Sequence, residues 1–174
     1  MTRETRVIDI KEKQGRSGPL VFVVVRHEIS NGEGLAITEE HDIVYRDHGP
    51  PAPLQAAPTD AAWERTIQPD DVLLFRYSAL TFNGHRIHYD RRYATEVEGY
   101  PGLVVHGPLI ATLLMDLLRR NQPSANVARF SFRAVSPLFD TGSFVVCGKP
   151  DGSKVLLWAK DAAGNLAMTA EADV

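Results

Sequence analysis

The chain has 174 residues, of which 44% are hydrophobic and 24% are charged, a composition typical of globular proteins. Its net charge of −3 argues against a general nucleic-acid-binding protein, because affinity for phosphate comes from clustered Lys and Arg. No apolar run reaches the roughly 20 residues that cross a membrane, and no apolar stretch follows the charged N-terminus as in a secretory signal. We therefore expect a cytoplasmic protein whose partners include neither nucleic acid nor a membrane.

Residues 1–47 contain three strand-like runs separated by glycine-containing turns. The runs cover residues 6–11, 20–25 and 35–45, and the turns cover 14–18 and 31–34. Glycine supplies the positive φ that tight hairpins need, so the pattern predicts an antiparallel meander. Three strands without a helix make a poor core, and we expect this segment to pack on something else.

Residues 48–62 are rich in Pro and Ala and have no apolar period. Proline stiffens the chain and removes backbone donors, so this stretch is predicted to be an extended connector. It divides the chain into a first segment of residues 1–47 and a main domain of residues 63–174.

Residues 107–120 form the clearest predicted helix. Pro108 suits a first helical turn, Arg119 and Arg120 suit the last turn, and Pro123 follows. Apolar side chains cover more than half of its circumference, which favours a helix enclosed by a sheet. Before it, residues 72–77 are predicted to be a strand, and residues 93–98 a short helix ended by Gly99.

Four strand-like runs follow this helix, at residues 127–135, 143–148, 154–160 and 166–172. Turn signals at Asp151-Gly152 and Gly164-Asn165 join the last three into a meander. The single cysteine, Cys147, lies in one of these runs and is predicted to be a small buried apolar residue. The element order predicts an α+β domain in which an antiparallel sheet curls around one helix.

Polar side chains are concentrated in residues 77–90, directly after an apolar run. Six of them fall within eight residues: Asn83, His85, Arg86, His88, Tyr89 and Asp90. A second segment, residues 102–108, leads into the predicted buried helix and contains His106 and Gly107.

These two segments resemble the MaoC-like hotdog family of hydratases and dehydratases. The family's catalytic pair is an acidic residue and a histidine five positions later, and Asn83 and His88 stand at those positions. His106-Gly107 is similar to the family's approach to its central helix. The stretch 75–90 looks closest to type 2 hydroxyacyl-thioester dehydratases and mesaconyl-CoA or itaconyl-CoA hydratases. The resemblance implies a hotdog fold at residues 63–174, preceded by a partial hotdog sheet at residues 1–47.

The resemblance implies that the protein is a hydro-lyase acting on an enoyl- or 3-hydroxyacyl-thioester. His88 would activate water, and backbone N–H groups at Gly107 would hold the charge that develops on the thioester oxygen. Asn83 cannot carry a proton, so it would orient the water. Candidate substrate-binding residues are His85, Arg86, Tyr89, Arg91 and His106.

The residues alone leave other interpretations open. His85, His88 and Asp90 could hold a metal ion, although Arg86 among them would repel it, and we expect no metal or other cofactor beyond coenzyme A in the substrate. Acyl carrier protein is the alternative carrier. A non-catalytic thioester-binding or assembly module, disabled by the incomplete first hotdog, is the alternative function, and thioester hydrolysis is a third. The uncovered first sheet predicts a homodimer.

Overall fold

The computed structural model describes residues 1–15, 18–46 and 53–174, and the chain separates into two compact units, Met1–Pro51 and Ala52–Val174. The first unit contains three strands: β1 (Thr2–Gly15), β2 (Gly18–Asn31) and β3 (Gly34–Arg46). They form an antiparallel sheet in the order β1-β2-β3, as the sequence predicted. Gly34 closes the second hairpin with a φ of 120°. The tip of the first hairpin, residues 16–17, lies outside the described residues.

Apolar side chains are concentrated on one face of this first sheet. Directly paired residues project to the same face, and Ile10, Val23 and Ile43 form one such row across the three strands. Val7 and Val25 form a neighbouring row on that face. Val7 is 58% exposed and Ile10 is 65% exposed. No helix among the described residues of this unit covers the apolar face.

The second unit contains five strands and two α-helices. In chain order they are β4 (Trp63–Ile67), α1 (Asp71–Leu80), α2 (Gly107–Asn121), β5 (Arg129–Ala134), β6 (Phe144–Asp151), β7 (Lys154–Asp161) and β8 (Leu166–Asp173). A 3₁₀ turn at Arg86–His88 and a short π-helix at Tyr93–Val97 lie between α1 and α2. The sheet is antiparallel in the order β4-β6-β7-β8-β5.

Helix α2 is the centre of the second unit and contacts four of its five strands, β4, β6, β7 and β8. Leu114 and Leu118 are completely buried, and Leu117 is almost so. Burying one leucine side chain contributes about 1.5–3 kcal/mol, so this helix and the sheet stabilise each other strongly. The predicted helix at residues 107–120 and the four predicted strands after it are confirmed, with small shifts at their ends.

The predicted strand at residues 72–77 is wrong, because this stretch belongs to helix α1. Asp70 starts the helix by accepting a hydrogen bond from the Leu73 N–H at 2.7 Å. The helix buries Leu74 and Ser78, which are four residues apart and therefore on one side. The unbroken run of apolar residues made the helical spacing of these two positions hard to recognise. The Asp70 N-cap was the sequence signal that indicates a helix.

The part of the predicted connector that the structure describes, residues 53–62, is attached to the second unit. The Leu166 N–H donates to the Gln55 carbonyl at 2.7 Å, and the Ala57 N–H donates to the Gly164 carbonyl at 2.9 Å. Ala57 packs with Cys147 in a small buried cluster. Residues 47–52 lie outside the described residues. Among those described, no helix is long and apolar enough to cross a membrane.

Candidate active site

Three segments lie side by side around the polar residues that the sequence singled out. The Val104 N–H donates to the Ile87 carbonyl at 3.0 Å, and the Val105 N–H donates to the Leu138 carbonyl at 2.8 Å. Residues 102–106, which we call the approach segment, are therefore held between the 3₁₀ turn and residues 138–140. This ladder fixes the place where helix α2 begins.

Asp140 secures the approach segment from one side. Its buried carboxylate accepts a hydrogen bond from the Leu103 N–H at 2.8 Å and pairs with Arg91 at 2.5 Å. A Cβ on Gly102 would lie 2.5 Å from this carboxylate, so only glycine allows the close approach. Sequence reasoning missed Asp140, because its partners are 37 and 49 residues away in the chain.

His88 lies in the 3₁₀ turn with only 8% of its surface exposed. Its Nδ1 is 2.7 Å from the Val104 carbonyl oxygen, which can only accept, so Nδ1 carries the proton and Nε2 has the free lone pair. Burial lowers the pKa of His88, the carbonyl contact opposes this shift, and the nearby His85 adds to it. The ring is therefore neutral near pH 7, in the form that can accept a proton.

His106 stacks on His88, with ring centroids 3.7 Å apart and planes 17° from parallel. Its Nε2 is 2.8 Å from the Ser78 hydroxyl, while its buried Nδ1 has no partner among the described residues. Burial and the neighbouring His88 lower the pKa of His106 to about 4. Sequence reasoning proposed His106 as a substrate contact and did not identify Ser78.

Asn83 is placed by the end of helix α1. Its N–H donates to the Ser78 carbonyl at 2.9 Å, and the preceding Phe82 has a φ of 51°, the left-handed conformation that often follows the end of a helix. The Asn83 side-chain oxygen accepts the His85 N–H at 3.0 Å. The side chain is thus oriented by its own loop. A role in holding water remains a prediction.

The other candidate residues already have intramolecular partners. His85 meets His88 edge-on at 5.5 Å, and the Tyr89 hydroxyl donates to the Gly84 carbonyl at 3.0 Å. Arg86 pairs with Asp90 at 2.7 Å. Arg91 is held by Asp140, as described above. Roles for these four side chains in binding substrate are therefore still predictions.

Asp90 stabilises the start of the short helical segment that follows it. Its Oδ1 accepts a hydrogen bond from the Tyr93 N–H at 3.0 Å, at the start of the short π-helix. Its other oxygen binds Arg86. Within the described residues, no three His, Cys, Asp or Glu side chains gather as a metal site would require.

Gly107 begins helix α2, where the first N–H groups have no acceptor within the helix. The glycine borders an apolar cavity of about 290 Å³, which is also lined by Val105, Ile110, Leu138 and Met168. A Cβ at Gly107 would meet only the Met168 Cε, at 4.0 Å. The glycine therefore leaves the backbone open towards the cavity, in a place where the helix dipole favours negative charge.

A sheet wrapped around a central helix, with two polar segments meeting at the start of that helix, defines a hotdog-fold protein of the MaoC-like type. HtdX from Mycobacterium tuberculosis has a similar structure, with a TM-score of 0.70 and 20% sequence identity over 98% of this chain and 67% of that one. A MaoC-like dehydratase from Phytophthora capsici gives a TM-score of 0.67 at 19% identity, over 98% and 63% of the two chains. Both likenesses show the fold.

The sequence profile of the hydroxyacyl-thioester dehydratase type 2 family matches residues 1–140, and the chain belongs to this family. It is also 49% identical to the mesaconyl-C(4)-CoA hydratase of Chloroflexus aurantiacus, over 99% of its own length. The chain spans 62% of the length of that relative. The predicted family and hotdog fold are therefore confirmed.

Proposed function

We propose that this protein is a hydro-lyase that reversibly adds water to an enoyl-thioester and removes it from a 3-hydroxyacyl-thioester. The observation that carries this proposal is the neutral His88, whose Nδ1–H is tied to the Val104 carbonyl and whose Nε2 has a free lone pair. The family of the chain and its hydratase relative support the same reaction.

The proposed mechanism uses the His88 ring for both proton transfers. In hydration, Nε2 removes a proton from water as the water oxygen bonds to the β-carbon, and the electron pair of the double bond moves towards the thioester oxygen. The N–H of Gly107 stabilises the resulting enolate, and protonated His88 then delivers a proton to the α-carbon. Asn83 holds the water during attack. Dehydration is the same sequence in reverse.

The proposed substrate is an acyl-CoA thioester, with a mesaconyl or itaconyl group as the first candidates. The similarity to a mesaconyl-C(4)-CoA hydratase supports this choice. An acidic acyl group would need a cation, and Arg86 is 55% exposed beside the site, although it must share its charge with Asp90. Acyl carrier protein is the alternative carrier. No metal or redox cofactor takes part in the proposed reaction.

The proposed assembly is a homodimer, and the proposed location is the cytoplasm. The apolar row of Ile10, Val23 and Ile43 supports the dimer, because a bare apolar sheet face favours association. Fractionation of cells would test the location.

Ultraviolet absorbance at the enoyl-thioester band tests the reaction. Crotonyl-, mesaconyl- and itaconyl-CoA are offered in turn, and we expect the band to fall with at least one of them. If tight binding is seen without any change in absorbance, the protein is instead a non-catalytic thioester-binding module. If free coenzyme A is released, the reaction is hydrolysis.

The role of Asn83 is tested on the substrate that gives the largest rate. We expect Asn83→Ala to lose most of the rate without adding an ionisation to the pH profile, since an amide does not titrate. Asn83→Asp should retain activity, because the related motif has a carboxylate there. An Asn83→Ala variant with the original rate would contradict the proposed water site.

A further inference from the structure

We propose that Ser78 and His106 are positioning residues that together hold the His88 ring in its catalytic orientation. The inference rests on the proposed function, and it extends that function to two side chains that do not touch the reacting atoms. Their contacts form a chain from helix α1 through the approach segment to the 3₁₀ turn.

His88 is constrained on one edge and on one face. The Val104 carbonyl fixes the Nδ1 edge at 2.7 Å, but a single hydrogen bond still allows the ring to rotate about it. The His106 ring covers one face at 3.7 Å and removes that freedom. The edge and the face together leave one orientation, with Nε2 directed away from both contacts.

His106 is in turn held by helix α1. The Ser78 hydroxyl lies 2.8 Å from its Nε2, and the Tyr77 ring meets it edge-on at 4.9 Å. Its Nδ1 is buried without a partner among the described residues. An apolar ring would fill this space without burying an unpaired nitrogen, so packing alone does not explain a histidine here. The contact with Ser78 does explain it.

Ser78 also sets the position of Asn83. Its backbone carbonyl accepts the Asn83 N–H at 2.9 Å, while its hydroxyl contacts His106. One buried residue therefore connects both members of the proposed catalytic pair. A serine side chain can be removed without disturbing its carbonyl, so the two connections can be separated experimentally.

The stacked pair also controls protonation. The titratable groups that the structure places around His88 are His106 on its face and His85 at its edge, with Tyr77 against His106. Burial lowers the pKa of both stacked rings. Loosening the stack would admit water, and the pKa of His88 would then rise towards its ordinary value.

The experiment compares Ser78→Ala, His106→Phe and the double variant by kcat, KM and pH profile. We expect Ser78→Ala to lower kcat about 10-fold with little change in KM, and to move the acidic limb of the profile to higher pH. The double variant should be no worse than the more damaged single variant, because the two residues act through one contact. Ser78→Thr, which keeps the hydroxyl, should recover most of the rate. Thr112→Ala removes an exposed hydroxyl from helix α2 and is the matched control.

A second measurement keeps the two proposals distinguishable. Nitrogen NMR of the imidazole rings follows the tautomer and titration of His88 in the unmodified protein and in Ser78→Ala, with no substrate present. We expect the titration midpoint of His88 to rise in the variant. An unchanged midpoint, together with normal kinetics in Ser78→Ala, would overturn the positioning role even if hydration is observed. Absence of turnover with every thioester would refute the proposed function, while the NMR comparison would still decide whether the ring is held as we infer.

Discussion

The two compact units of this chain differ in how far their apolar residues are buried. In the second unit a strongly apolar helix, α2, is enclosed by the sheet, and Leu114 has no exposed surface. In the first unit no helix or second sheet among the described residues of that unit covers the apolar row through Ile10, and Ile10 is 65% exposed. The second unit has an internal core, whereas the first unit, taken by itself, is a single sheet with one apolar face.

The surroundings of the histidine side chains also differ between the two units. The second unit places three histidines together, with His88 and His106 stacked and His85 edge-on to His88. In the first unit, His27 is buried between strands and is contacted by Arg3 and Thr5. Both units therefore bury histidine side chains, but the second unit stacks two neutral imidazoles on each other, whereas His27 of the first unit is paired with polar side chains. The comparison predicts that changes in the second unit affect chemistry, and that changes in the first affect association.

The largest expected effect tests the chemical side of this division. His88→Ala should lower turnover by about 10²–10⁴, because it removes the proposed base. The fold should stay intact, because the ring belongs to a short 3₁₀ turn and not to helix α2 or the sheet. His41→Ala, an exposed histidine of the first unit, is the control and should keep the original rate. Kinetics and circular dichroism would measure both variants. A folded His88→Ala protein with a near-normal rate would remove the basis for the proposed mechanism.

The next effect tests the association side. Ile10→Asp places a charge on the apolar face of the first sheet, and we expect the homodimer to become monomeric in light scattering at micromolar concentration. Val44→Asp introduces the same charge on the opposite face, since Val44 pairs with Phe22 rather than with Val23. This second variant should stay dimeric. If the unmodified protein is already a monomer, the apolar face does not mediate pairing.

Local patterns in the sequence were enough to predict most of the fold. Period-two alternation and glycine turns predicted the first three strands, and the apolar period with Pro108 predicted helix α2. Helix α1 was missed because its apolar run is compatible with the periodicity of a strand as well as that of a helix. Strand β4 was missed because no element was predicted between the end of the connector at residue 62 and residue 72. The Asp70 cap was the overlooked signal for helix α1, whereas residues 63–67 alternate in burial but not in polarity, so their sequence contains no clear strand signal.

The candidate site was predicted only where short segments resemble the motifs of a known family. Asn83 and His88 were proposed because their spacing matches the catalytic pair of the MaoC-like family, and His106-Gly107 because it is similar to that family's approach to its central helix. Ser78 was not found, because its significance lies in a contact with His106 across 28 residues. Asp140 was missed for the same reason. Such contacts depend on how elements pack, which no local periodicity encodes.

A third prediction concerns the dependence of stability on pH and follows from the stacked pair His88 and His106 of the second unit. The pKa values of His88 and His106 are lower in the folded protein than in the unfolded chain, so the unfolded chain binds more protons below about pH 6.5. The free energy of unfolding should therefore fall as the pH drops from 7 to 5, by about 2 kcal/mol. Urea titrations at the two pH values measure this. His106→Phe should flatten the dependence, whereas Thr112→Ala, which removes no ionisable group, should not.

The last prediction, of a size similar to the one before it, concerns the close backbone approach that supports the site. Gly102→Ala would place a methyl group 2.5 Å from Asp140 Oδ1 and 2.8 Å from a carbon of Thr141. The carboxylate would have to move away from the Leu103 N–H, and we expect a loss of about 1–3 kcal/mol in unfolding free energy. Gly142→Ala is a matched control, because a Cβ there meets nothing within 4 Å. Urea denaturation of both variants separates crowding at residue 102 from the general cost of replacing a loop glycine. Equal stability of the two variants would mean that Asp140 does not secure the approach segment, and that the ladder with residues 138–140 is sufficient to place the start of helix α2.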